Sequence, residues 1–133
     1  MTNDQTMRRF DDLMRFSPDF SLSDFKLIAY GRHFRLGPNL RFVVARDDPE
    51  NNVLERLQLP DDYVVTTVDV PGPLGILRGT ASYEDIEKTC RLIARYSKAR
   101  SQPQVRVSVS RQGLVSIVTV KPAADEECEA WRI

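Results

Sequence analysis

The side chains best placed to do chemistry in this sequence are cations. Lys88, Arg91, Arg95 and Lys98 are spaced three, four and three residues apart, which puts all four on one stripe of a helix. Like charges at that spacing repel by a few tenths of a kcal/mol per pair, so the stripe needs an anion. Two kinds would serve: the phosphates of an RNA, or acids from other elements such as Asp61 or Asp69, which would make it an internally paired, solvated face. A second constellation, Tyr30-Gly31-Arg32-His33-Phe34-Arg35, interleaves aromatic and cationic residues, a composition suited to stacking bases and neutralising phosphates. On a strand, alternation puts Arg32 and Phe34 on one face and His33 and Arg35 on the other. Only one of those faces can be core. Tyr30 and Phe34 are therefore also candidates for ordinary core aromatics, and His33, the single histidine, for a surface or hydrogen-bonded residue.

Catalytic chemistry finds little to stand on. Pro71-Gly72-Pro73-Leu74-Gly75 lacks the lysine and the following helix of a phosphate-binding loop. One histidine and two cysteines fall short of a structural zinc site. Cys128 lies among Glu126, Glu127 and Glu129, which disfavour its thiolate. Asp47-Asp48 and Asp61-Asp62 read as caps and turn residues. The expectation is a non-enzyme with no catalytic residue, metal or cofactor.

Nineteen basic and nineteen acidic residues give a net charge of zero, which taken alone disfavours a polyanionic partner. The charges are segregated, however. No acid lies between Asp24 and Asp47, a stretch that carries Lys26, Arg32, Arg35, Arg41 and Arg46, and none lies from Lys88 to Ala124. The acids gather at Asp47 to Glu55, Asp61 to Asp69, Glu84 to Glu87 and Asp125 to Glu129. Such asymmetry informs more than the total does.

These residues must be held by a fold of modest size. Apolar residues at Met7, Phe10, Leu13 and Met14 predict an amphipathic helix ended by Ser17-Pro18. Phe25 to Leu36 reads as a strand, joined to Leu40 to Ala45 by the turn Gly37-Pro38-Asn39. Asp47 or Asp48 before Pro49 starts a helix running to about Leu57. Tyr63 to Val70 and Leu74 to Arg78 read as strands around the rigid turn Pro71-Gly72-Pro73. Ser82 and Asp85 open the longest helix, expected to reach about Lys98. Val105 to Ser110 and Leu114 to Val120 form a last hairpin across Arg111-Gln112-Gly113. The class is α+β: a largely antiparallel sheet of about six strands in paired hairpins, with two or three helices on one face. Residues 1–21 are expected as a helical arm, 22–122 as one domain, and 123–133 as a mobile acidic tail. No apolar run is of signal-peptide or membrane-spanning length, and two cysteines without disulfide or metal-site spacing fit a reducing compartment, so a cytoplasmic location is expected.

Several strings, taken in order, resemble the RNA-binding domain found towards the C-terminal side of NFACT proteins, a family formerly grouped with fibronectin-binding-like proteins. They are Gly31-Arg32-His33-Phe34-Arg35-Leu36, Val43-Val44-Ala45-Arg46-Asp47-Asp48-Pro49-Glu50-Asn51, Asp69-Val70-Pro71-Gly72-Pro73, Ala94-Arg95-Tyr96-Ser97-Lys98-Ala99-Arg100, Val105-Arg106-Val107 and Val118-Thr119-Val120-Lys121-Pro122. The resemblance spans about residues 25 to 122. The version attached to PP-loop tRNA thiouridylases is the closer one. Where the NFACT type has an aromatic and a histidine in the strand before Asp-x-Pro-Gly, this chain has Val64-Val65-Thr66-Thr67, and it continues the turn with Pro73-Leu74.

The resemblance implies RNA binding, with tRNA as the expected partner, in tRNA modification or ribosome-associated quality control. Matched by position, it points to Arg32, Arg46, Asn51, Arg95, Ser97 and Lys98. With the residues singled out above, the expected RNA-binding set is Arg32, His33, Arg35, Arg46, Asn51, Lys88, Arg91, Arg95, Tyr96, Ser97, Lys98 and Arg100. The alternative is a non-catalytic scaffold that docks on a separately encoded PP-loop tRNA thiolation enzyme through the N-terminal helix or the acidic tail.

Overall fold

A computed structural model describes residues 4–133, so the first three residues of the expected arm lie outside it. The chain runs α1 (Asp4–Phe16), α2 (Leu22–Leu27), β1 (Arg32–Gly37), β2 (Leu40–Val44), α3 (Asp48–Leu57), β3 (Tyr63–Thr67), β4 (Gly75–Gly79), α4 (Tyr83–Arg95), β5 (Val105–Arg111), β6 (Leu114–Val120) and α5 (Asp125–Trp131). The strands form one sheet in the order β1-β2-β4-β3-β5-β6, and every neighbouring pair is antiparallel. The α+β class is as expected, with five helices among the described residues where two or three were expected.

Alternation along β2 explains why both faces of the sheet need cover. Phe42 and Val44 face one side, where they meet Phe34, Val65, Leu77 and Val107 and, from α4, Cys90, Leu92 and Ile93. Val43, with neighbouring Ala45, faces the other side, against Leu27, Leu54 and Ile76. All five residues of β2 are buried, the signature of a strand covered on both faces. Helices therefore lie on both sides of the sheet, a correction to the one-sided arrangement expected.

Two further expectations are overturned. The strand expected from Phe25 begins only at Arg32, because Ser21 and Asp24 close a capping box: the Ser21 hydroxyl accepts from the Asp24 N–H at 3.1 Å and Asp24 accepts from the Ser21 N–H at 2.9 Å. That start makes Leu22–Leu27 helical, and its signature is visible in the sequence. The acidic residues from Asp125 form α5 instead of a mobile tail. Three carboxylates in its first turn complement the positive end of the helix dipole, Cys128 is buried, and the Ile133 N–H donates to the His33 carbonyl at 3.0 Å. Composition suggested disorder, but Asp125, Glu127 and Trp131 have partners on α4.

The other elements follow their local signals. Asp47 caps α3 with Pro49 in its first turn, Ser82 and Asp85 box the start of α4, and Gln112 and Gly113 take positive φ between β5 and β6, as a tight hairpin requires.

Candidate nucleic-acid interface

Three loops meet at one end of the sheet and enclose an open groove of about 710 Å³. One is the β2–α3 junction, with Ala45, Arg46, Asp47 and Asp48; the second is the turn Pro71-Gly72-Pro73; the third is the end of α4, with Tyr96, Ser97, Lys98 and Arg100. Arg32 at the start of β1 and Asn51 on α3 complete the wall. Seven of the twelve expected residues thus converge, although 68 residues separate Arg32 from Arg100 in sequence. Four cations face two carboxylates, Asp47 and Asp48.

Each of these side chains is positioned by something specific. The Arg32 guanidinium lies 4.6 Å from the centroid of the Tyr96 ring, a cation–π contact that leaves both at the groove wall. Burial lowers the Arg32 pKa, with nearby Arg132 and Arg46 adding to it. Arg46 donates to Glu50 through Nε at 3.0 Å and Nη2 at 2.6 Å, and its own N–H donates to the same carboxylate at 2.8 Å. Glu50 also accepts from the Gly31 N–H at 3.1 Å. The Arg46 hydrogen bond is the main cause holding the Glu50 carboxyl down to about 2. Yet the Arg46 side chain remains 46% exposed, so it can reach a ligand while anchored.

Asn51 and Ser97 build the groove more than they line it. The Asn51 Oδ1 accepts from the Leu74 N–H at 2.9 Å, tying α3 to the Pro71–Leu74 turn. Ser97 is buried; its Oγ donates to the Ala94 carbonyl at 2.7 Å and accepts from the Ala99 N–H at 3.1 Å. This closes α4 and turns Lys98 outward. Gly72 is wedged between the end of β3 and the end of α4: a Cβ there would meet Thr67 Oγ1 at 2.6 Å and Ser97 Cβ at 3.3 Å. Lys98 and Arg100 are exposed and form no ion pair among the described residues, which makes them the groove's most available cations.

The remaining five expected residues go elsewhere. Arg91 forms a bidentate pair with Glu127, at 2.5 and 2.6 Å, and donates to the Lys121 carbonyl. Arg95 pairs with Asp125, and the Lys88 ammonium lies 5.4 Å from the Trp131 ring centroid. Three of the stripe's four cations are therefore answered by α5, an internal pairing with partners other than Asp61 or Asp69, while α4 ends at Arg95 and leaves Lys98 at the groove. Asp69 instead pairs with Arg106, and Asp61 accepts from Gln112 and Arg111.

Arg35 pairs with Asp12 and lies over the Phe16 ring at 4.5 Å, fastening β1 to α1. His33 is completely buried, which corrects its expected contact with RNA. Its Nε2 faces the carbonyls of Leu27 and Tyr30, at 3.1 and 2.8 Å; both are acceptors, so Nε2 carries the proton. Burial, with Arg9 and Arg41 nearby, holds its pKa well below the usual value. Reading the strand as an exposed basic–aromatic surface misses this, because α1 and α2 cover the face that carries His33. Asp47, Asp48 and the Pro71–Pro73 turn were not among the expected site residues, although the Asp-x-Pro-Gly string pointed to that turn.

The groove thus gathers four cations and an aromatic at one end of an antiparallel sheet, and no group of metal-ligating side chains is found among the described residues. The chain belongs to the family of the NFACT protein RNA binding domain, whose model matches residues 31–132. That family is described by the binding of RNA. Among solved structures, the chain is similar to the C-terminal part of the fibronectin/fibrinogen-binding protein from Streptococcus suis. The TM-score is 0.67 at 15% identity, over 97% of this chain and 68% of that one; at that identity the likeness is one of fold. No curated protein sequence matches the chain. Among the described residues, no helix is long and apolar enough to cross a membrane.

Proposed function

We propose that this chain is a tRNA-binding module that grips the phosphate backbone in the groove, through Lys98, Arg100, Arg46 and Arg32, with Tyr96 as the surface on which a base can stack. The observation that carries this reading is the meeting of these five side chains from three separate segments at one open concavity. Cations that folding brings together without full neutralisation repel one another, and a polyanion relieves that cost. Asn51, Ser97 and Gly72 shape the groove, and Glu50 holds Arg46. The stripe Lys88, Arg91 and Arg95 serves to dock α5 and takes no primary part.

The resemblance to the version attached to tRNA thiouridylases supports a role in tRNA modification, with ribosome-associated quality control as the neighbouring process. The reading predicts that purified protein binds bulk tRNA in preference to a DNA duplex and an unrelated single-stranded RNA. Affinity should fall steeply with salt, and the triple variant Arg46→Ala, Lys98→Ala, Arg100→Ala should flatten the slope by roughly 0.7–0.9 for each phosphate left unneutralised. An unchanged slope would sink the groove as the site.

One observation favours a scaffold role as a second reading. Phe25, Ile28, Ala29, Tyr30, Val53 and Leu57 line an open apolar concavity away from the groove, of about 550 Å³, a suitable seat for a partner such as a PP-loop thiolation enzyme. Recovery of such an enzyme in a pull-down, together with no affinity for RNA, would favour it.

A further inference from the structure

The family match begins at residue 31, so α1 and α2 lie outside it, and α1 brings its own cations to the end of the sheet that carries the groove. Arg9 is buried: its Nη1 donates to the Ile28 carbonyl at 3.0 Å and its Nη2 to the Gly31 carbonyl at 2.7 Å. Those bonds seat α1 on the turn that leads into β1. The adjacent Arg8 is left exposed. From the other terminus, a bridge between Arg132 and Phe34 and the bond from the Ile133 N–H to the His33 carbonyl lay residues 132–133 along the outer edge of β1. Arg132, also exposed, is thereby brought near the Arg32–Tyr96 pair, and it shares with Arg8 an open concavity of about 430 Å³, lined otherwise by Gln5, Glu129 and Ile133.

These cations act on one another. Burial lowers the Arg9 pKa to about 10, and Arg46, Arg132 and Arg8 add to the lowering; Arg132 and Arg46 likewise contribute at Arg32. The acids at this end, Asp47 and Asp48 at the groove, Glu50 and Glu129, offset them only in part. Glu50 is taken by Arg46 and the Gly31 N–H, and Glu129 forms no ion pair with Arg8 or Arg132 among the described residues.

We propose that Arg8 and Arg132 form a second phosphate-binding subsite, which continues the RNA track from the groove across the edge of β1 and onto α1. The inference rests on the reading of the groove as an RNA site and extends it to a helix that the family domain does not include. The basic path runs from Lys98 and Arg100 through Arg46 and Arg32 to Arg132 and Arg8, and of these only Arg8 lies outside the residues that the family model matches.

The test uses the whole chain and bulk tRNA, with affinity measured by fluorescence anisotropy over a salt series. Arg8→Gln with Arg132→Gln removes both charges while sparing the fold, because the β1 bridge is made by the backbone of residue 132. Its unfolding midpoint should match the unsubstituted protein's. Affinity should fall about tenfold and the salt slope by roughly 0.7–0.9 for each phosphate that the variant no longer neutralises, and Arg8→Glu with Arg132→Glu should weaken binding further. Glu129→Gln should tighten it. If the groove variant Arg46→Ala, Lys98→Ala weakens binding while both Arg8/Arg132 variants keep the original affinity and slope, the subsite is overturned and the groove stands. If the unsubstituted protein binds no tRNA even at low salt, both readings fall.

Discussion

Arg91 on α4 and Glu127 on α5 form a bidentate ion pair at 2.5 and 2.6 Å, 36 residues apart in the chain. With the pair Arg95–Asp125 and Lys88 against Trp131, it converts a basic stripe into a docking face for the last helix. Both partners are about a quarter exposed, so the pair's worth is modest, about 1 kcal/mol. Replacing Glu127 by Gln should lower the midpoint of thermal unfolding by a few degrees and leave tRNA affinity within about twofold. A large loss of affinity with an unchanged midpoint would return the stripe to the RNA site. A double-mutant cycle with Arg91→Ala separates the pair from its surroundings.

Gly72 tests whether the groove's shape matters apart from its charge. Any side chain there meets Thr67 Oγ1, which donates to the Val70 carbonyl at 2.8 Å. Gly72→Val should push the turn off Ser97, costing about 1–3 kcal/mol of stability and several-fold in tRNA affinity, although no charge changes. Binding measured by anisotropy beside a denaturant titration would report both. Undiminished affinity would show that the turn has no part in the interface.

Arg78 should prove structural. It spans Asp62, at 2.8 and 2.7 Å, and Asp24, at 2.8 Å, and donates to the Leu57 carbonyl. Arg41 shares Asp24 at 3.2 Å. Asp62 is almost wholly buried, so Arg78→Ala strands a carboxylate and should cost about 3–5 kcal/mol. Arg78→Met should cost about as much unless Asp62→Leu accompanies it. The refolded fraction of Arg78→Ala should still bind tRNA with unsubstituted affinity.

The pH dependence of stability has two windows, both with loss on the acid side. His33 is buried and neutral, its pKa well below 6.5. Its unfolded form takes up a proton below about pH 6.5 while the folded form does not, so stability falls as pH drops from there, by up to about 1.4 kcal/mol per pH unit. Glu50 has its carboxyl held from the ordinary 4.5 down to about 2. Its contribution is complete above about pH 4.5 and is lost as pH falls towards 2. Urea titrations at pH 7.5 and 5.5 should differ, and His33→Gln should remove most of that difference. An equal pH dependence in the variant would place the titrating group elsewhere.

What the sequence makes legible is local. Asp47 and Pro49, Ser82 and Asp85, and Gln112-Gly113 announce their caps and turn, because capping and tight turns are settled within a few residues. The capping box at Ser21 and Asp24 is equally local, but the β-like run that follows it masks the signal. Seven of the groove residues can be named from their strings. The fate of the other five cannot, since ion pairs and burial depend on what folding brings alongside.

The sequence by itself thus determined the six strands, the hairpins, the starts of α3 and α4 and the segregation of charge, all of which follow from short-range chemistry and periodicity. Only the tertiary structure decided which cations remain available. The docking of α5 neutralised Arg91 and Arg95, and the cover of α1 and α2 buried His33. The meeting of three loops left Arg32, Arg46, Lys98 and Arg100 around one groove. Coulomb interactions and desolvation act through space, and the distances that govern them exist only once the chain has folded.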